Sequence, residues 1–199
     1  MSNVLIGIIG VILFIGLALA GALILGDDFK SASNVTTASA LMSQLKQAAD
    51  AADMRRVKTG ISTIPARDTA FLVPRFLKTP AMNPSPLARA APNDPRWTIA
   101  FNNNLFGDGF YEPGYAAKYA QATIGPLGDS KAEGICRSIS ETYGLSAIPD
   151  VRTNGDSSPD QNAGCVLAAS GETYSGVPQY IAYIRVAPPG QDYLLLSAG

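Results

Sequence analysis

From Val4 to Gly26 the chain reads VLIGIIGVILFIGLALAGALILG, 23 residues with nothing more polar than glycine, and residues 1–26 carry no ionisable side chain. As a helix this run extends about 34 Å, enough to cross a hydrocarbon layer about 30 Å thick. The alternatives are a cleavable signal peptide and a buried core helix. A signal peptide has a basic leading region and a shorter apolar run, whereas Met1, Ser2 and Asn3 offer no basic side chain. A soluble core helix is rarely apolar on every side for six turns. The sequence therefore predicts a membrane-spanning helix over 1–27.

Beyond Asp27 the pattern changes from uniformly apolar to amphipathic. Val35, Ala38, Met42, Leu45, Ala49 and Ala52 recur at spacings of three and four, which places them on one helix face. No proline interrupts the chain before Pro65, and Gly60 offers a stop. The helix is expected to continue unbroken through 28–60. Residues 61–95 hold seven of the fourteen prolines. Each removes a backbone donor and restricts its predecessor, so this stretch reads as an extended linker.

The remainder, 96–199, reads as a globular head. RWTIAF (96–101) is strand-like and is followed by a turn-rich stretch at 102–114. In SKAEGICRSISETY (130–143), Ile135, Cys136, Ile139 and Tyr143 share a helical face, and Gly144 is placed to cap it. Further strands are expected in LSAIPDV, GCVLAAS, PQYIAYIRVA and DYLLLS. In the third of these, Tyr180, Ala182, Ile184 and Val186 alternate with Ile181, Tyr183 and Arg185. The predicted class is α+β: a long N-terminal helix packed on a C-terminal antiparallel sheet, with one further short helix.

Composition restricts the chemistry. The chain has no histidine, and two cysteines cannot close a four-ligand shell unaided. That removes histidine-based general-base catalysis and most zinc and iron sites. With 15 basic against 16 acidic side chains, it lacks the basic excess that nucleic-acid binding requires. Cys136 and Cys165 lie downstream of the apolar helix, and a disulfide in an oxidising compartment is the better reading of the pair. Closing a loop of roughly 30 residues stabilises a fold by about 3.5 kcal/mol in the chain-entropy treatment.

Four motif-like strings carry no chemistry in this context. Ser43-x-x-Lys46 and Lys58-Thr59-Gly60 match signatures of penicillin-binding enzymes, yet both fall on one predicted helix. Asp150, Asn154, Asp156 and Asp160 do not have the spacing of a twelve-residue calcium loop. Gly107-Asp108-Gly109 lacks the strand-to-helix setting of a dinucleotide loop. No catalytic, cofactor-binding or metal-ligating residues are assigned, and no cofactor is expected.

An apolar N-terminal helix running into an amphipathic one, then a linker, an antiparallel sheet and one disulfide, is similar in layout to type IV pilins. The long linker, the GICRSISETYGL helix and the chain length most resemble the type IVb branch. The resemblance implies a structural subunit, not an enzyme, that polymerises through its N-terminal helix into an extracellular filament for adhesion, motility, conjugation or DNA uptake. It implies identical subunits and the pilus assembly machinery as partners, with residence in the bacterial inner membrane before assembly and at the cell surface afterwards. In that family the processed N-terminal residue is methylated, a role that falls to Met1; Leu5 stands where the family has a glutamate. The helix itself offers Gly16 and a small-residue ridge of Ala18, Ala22 and Gly26, which lets helices approach closely in an apolar medium. The second reading is a non-polymerising bitopic protein whose periplasmic domain serves an envelope machine. The segment expected outermost is 152–164; 102–114 is the second candidate, and its Phe106, Phe110 and Tyr111, more apolar than a free surface loop, suggest packing against a neighbouring subunit, with burial in its own domain as the alternative.

Overall fold

The computed structural model describes residues 2–61, 63–65, 67–86, 99–102, 117–151, 161–168 and 177–186; within 2–28 it describes the side chains of Phe14 and Ile15 alone. The first helix, α1, spans Ser2–Thr59. The chain forms two compact units, Met1–Asn34 and Val35–Gly199. The first is helical throughout its described length. Among the described residues no helix is long and apolar enough to cross a membrane. The Val4–Gly26 run, on which the membrane-spanning expectation rests, lies outside the described side chains apart from Phe14 and Ile15.

In the second unit α1 ends where the sequence provides a stop. Gly60 has φ +70°, a left-handed conformation that glycine adopts without steric cost, and its N–H donates to the Arg56 carbonyl at 2.9 Å. The Thr59 hydroxyl donates to the Arg55 carbonyl at 2.8 Å. Arg56 and Lys58 occupy the last turn, where positive charge suits the helix dipole.

Five antiparallel strands make one sheet in the order β1-β2-β3-β5-β4. They are β1 (Arg67–Asp68), β2 (Ala100–Asn102), β3 (Tyr119–Pro126), β4 (Ala163–Ala168) and β5 (Gln179–Arg185). A second helix, α2 (Ser130–Thr142), joins β3 to β4. Its ends are well specified. The Asp129 carboxylate accepts from the N–H groups of Lys131 and Ala132 at 2.8 and 3.0 Å, satisfying two donors of the first turn. At the other end the N–H of Leu145 donates to Ser140 and that of Gly144 to Glu141, with Gly144 at φ +76°. This is the paired bonding of a Schellman cap.

The alternation along β5 divides two cores. Tyr180, Ala182 and Val186 join a large cluster with Leu41 and Leu45 of α1, Ile135 and Ile139 of α2, Phe101 and Ile124. On the opposite face Ile181 and Tyr183 form a smaller cluster with Tyr119, Val166 and Ala168, in which the Tyr119 and Tyr183 rings meet edge to face at 5.7 Å. Both faces of the central strands are therefore buried.

Cys136 of α2 and Cys165 of β4 are disulfide-bonded with their Cα atoms 5.4 Å apart, as expected from the sequence. The bridge ties α2 to the edge of the sheet across 29 residues of chain. Beside it, the N–H of Val151 donates to the Leu167 carbonyl and the N–H of Leu167 to the Pro149 carbonyl, each at 2.9 Å. The stretch 149–151 thus covers part of the outer edge of β4.

Several expectations change. The proline-rich segment is more than an extended connection: it supplies β1, a short 3-10 turn at Thr69–Leu72 and the buried residues Ile64, Leu72 and Ala81. Where Pro84 and Pro86 lack N–H groups, side chains bond in their place. The Asn83 amide donates to the Thr123 carbonyl and the Ser85 hydroxyl donates to that of Ile124 at 2.8 Å, at the point where the β3–β5 register shifts. On α1 the inward face is Ala38, Leu41, Leu45, Ala48, Ala49 and Ala52. Val35, assigned to that stripe from spacing, is 54% exposed, and Tyr143, assigned to the inward face of α2, is 41% exposed. Strand β3 has no counterpart in the sequence reading. The expected LSAIPDV strand forms only an isolated bridge at Asp150. Of the two segments expected outermost, Asn102 ends β2 and is buried, and Ala163 and Gly164 begin β4, while 103–114, 152–160 and the expected DYLLLS strand lie outside the described residues.

Two substitutions test this core by chemical denaturation of the full chain in detergent. Leu45→Ala removes a fully buried side chain and is expected to lower stability by about 2–5 kcal/mol. Cys165→Ser opens the bridge and is expected to lower it by about 2–5 kcal/mol.

Candidate assembly surface

An α-helix packed on a domain by one face presents the other to solvent, and α1 uses its two sides very differently. Opposite the buried stripe run Thr36, Ser39, Ser43, Gln47 and Asp50, all exposed and mostly short. Met54 and Val57 continue the same side at spacings of four and three, and Ile61 follows. These three are apolar and exposed, Val57 to 85%. In the first unit Phe14, Ile15 and Phe29 are also exposed, Phe29 to 76%. Single exposed apolar residues are ordinary, but a row at helical spacing is an unpartnered helix face.

A groove of about 560 Å³ lies between α1 and α2. Val35, Ala38 and Met42 form one wall; Ile139, Thr142 and Tyr143 form the other. Its most exposed apolar residues are Val35 and Tyr143, the two that periodicity assigns to the core. Their spacing is that of core residues because each faces its neighbouring helix. They remain open because the groove between the two helices is unfilled.

The polar groups near the end of α1 are fixed by short-range bonds. The Arg55 guanidinium stacks over the Phe71 ring at 5.5 Å and donates to the Thr63 carbonyl at 3.2 Å. Partial burial pulls its pKa below the usual guanidinium value. Arg56 donates to the Val186 carbonyl and pairs with Asp53 at 2.9 Å, joining the last turns of α1 to the end of β5.

The residues singled out from sequence fall as follows. Cys136 and Cys165 are bonded. Gly16, Ala18, Ala22 and Gly26 lie on α1, and their side chains, like Met1, are outside the described residues. Lys46 pairs with Asp50 at 3.2 Å, while Ser43 accepts from Gln47 at 3.5 Å. Thr59 and Gly60 form the end of α1. These strings are thus helix surface and helix cap. Asp150 forms an isolated bridge with Leu167, and Asn154, Asp156 and Asp160 are outside the described residues. Among the described residues no three His, Cys, Asp or Glu side chains are grouped to hold a metal ion. The α1–α2 groove was not legible in the sequence; the exposed row had a usable signal in the apolar residues Met54, Val57 and Ile61, which fall off the main stripe. Comparison with known proteins finds no matching family model, no matching curated protein and no matching solved structure.

The exposed row separates folding from assembly. Val57→Glu is expected to shift stability by no more than about 0.5 kcal/mol, since the side chain packs against nothing, while reducing self-association. Thermal unfolding and sedimentation of the same sample measure the two effects.

Proposed function

We propose that the chain is a structural subunit that polymerises through α1 into an extracellular filament of the type IV pilin kind. The observation that carries this reading is the division of labour on α1. Its inner face is consumed by the head, and its other side keeps an exposed apolar row and an open groove. A side chain such as Val57 gains free energy only when a partner removes it from water, at about 25 cal/mol per Å² of apolar area.

Identical copies are the simplest partner. A helix from a neighbouring subunit brings the same apolar run, and the short residues at Ser39 and Ser43 permit close approach. The Val4–Gly26 run supports the same reading: it holds the subunit in the bacterial inner membrane until the assembly machinery extracts it, after which only neighbouring helices can bury it. The ridge of Ala18, Ala22 and Gly26, with Gly16 above it, suits that exchange of lipid for protein contacts. In this reading Met1 is the processed and methylated end. Adhesion, motility, conjugation and DNA uptake are all served by such a filament.

Removing residues 1–27 is the direct experiment. The expected product is a monomeric head with the disulfide intact; filaments from the truncated chain would show that α1's apolar half is not the polymerising element. Leu13→Asp in the full chain is expected to abolish filaments or insertion, because a charge at that depth costs several kcal/mol. Electron microscopy of surface-sheared material and membrane fractionation distinguish those two outcomes.

A further inference from the structure

We infer that the α1–α2 groove of one copy receives the Met54–Val57 side of α1 from the next copy, an inference that rests on the polymerising reading above. The two surfaces belong to one chain and both are open. The groove, about 560 Å³ in volume, has apolar walls of Val35 and Met42 on α1 and of Ile139 and Tyr143 on α2. Val35 and Tyr143 stay 54% and 41% exposed. The row is the convex counterpart: Met54 is 46% and Val57 85% exposed, and Ile61 follows at 45%. Each surface alone leaves apolar area in water, and seating one in the other removes both from it.

The polar surroundings match. Among the described residues that line the groove, Glu141 is the one charged side chain. It is exposed and has no ion-pair partner among the described residues. Lys58, one turn beyond Met54, is exposed and unpaired in the same sense. It begins no isolated charge: residues 54–80 hold six basic side chains and one acidic one. The carboxylates on the row's side of α1 are balanced within their own helix, Asp50 by Lys46 at 3.2 Å and Asp53 by Arg56 at 2.9 Å. A copy that seats Met54 and Val57 in the groove therefore brings a cation toward Glu141, and opposite charges at the edge of a contact fix its register.

The placement of the two surfaces on α1 makes the contact one that chains copies. At about 1.5 Å per residue, the centre of the row lies about 25 Å along the helix from the centre of the groove's α1 wall. At about 100° per residue, the two are also about 80° apart around it. A two-fold pair of side-by-side helices needs both surfaces on one face, because each copy then gives and receives across the same line. Surfaces at different heights and on different faces let each copy seat its row in one neighbour and accept the row of another, a heterologous contact that two copies do not close. Parallel copies joined in this way are offset by about 25 Å along α1 and turned by about 100° around it.

The test uses the full-length chain carrying both Ser39→Cys and Val57→Cys, assembled into filaments and then oxidised. Ser39 lines the groove, and the two native cysteines are already bonded to each other. About 27 Å of helix keeps the two new thiols of one chain apart, so any bond between them joins different copies. Non-reducing electrophoresis is expected to show a ladder of covalent oligomers from filaments, monomer alone from detergent-dispersed chains, and no cross-link from either single variant. Dimers with nothing larger would mean a closed pair, and dimers from Val57→Cys alone would set row against row; either result overturns the proposal. Filaments of the double variant without any cross-link overturn it too, and leave the polymerising reading standing. A second measurement decides the matter where the thiol variants do not assemble. Lys58→Glu is expected to lower pelletable filament about threefold at low salt, and adding Glu141→Lys to restore it. Unchanged yield in the first, or no recovery in the second with the head folded by circular dichroism, overturns the pairing. If the unmodified chain forms no filaments, both readings fall together.

Discussion

Burial of one face of α1 in the head fixes what every other surface of the second unit has to do. With Leu41, Leu45 and the alanines at 38, 48, 49 and 52 removed from water, the sheet acquires a cover on that side and α2 completes it. The opposite face of the sheet then needs its own apolar layer, supplied by Tyr119, Tyr183, Ile181 and Val166. An antiparallel sheet can leave one face to water, but here β5 carries large apolar side chains on both faces, and each requires a cover. What is left to solvent is the far side of α1, the mouth of the α1–α2 groove and the ends of the strands.

The alanine content of this core explains which parts were readable from sequence. Helix α2 was legible because its signals are local: apolar residues on one face and a glycine at the stop. The disulfide was legible from the position of its cysteines after an apolar helix. Strand β3, YAQATIGP, was not. Strand patterns are recognised by the alternation of apolar and polar residues, and a strand buried on both faces does not show it: Ala120, Gln121, Ala122 and Thr123 are all buried. It is nonetheless the strand that joins β2 to β5. The stripe on α1 was drawn correctly in period but included Val35, where the head no longer covers the helix, and omitted Leu41 and Ala48, which lie well inside the buried arc. The reading of the apolar Val4–Gly26 half of α1 rests on the sequence.

The proline-rich segment shows how composition can mislead about packing while being right about backbone. Prolines at 84 and 86 do prevent strand pairing. Asn83 and Ser85 interleave with them and reach the carbonyls of Thr123 and Ile124 through side chains, so a stretch with few backbone donors still docks on the sheet. Charge was misleading in the opposite direction: a net charge near zero describes the total, and the 54–80 surface departs from it strongly.

The bonds that Pro149 and Val151 make with Leu167 bear on how this chain avoids the wrong kind of polymer. An open β-strand edge is a template for pairing with another chain. At one side of the sheet β1 is only two residues long, too short to seed pairing. At the other, a proline and the chain that follows it already occupy the Leu167 amide and carbonyl, so an incoming strand meets a ladder that is partly taken. Edge-to-edge strand pairing, the first step of the cross-β route, is thereby discouraged at both margins.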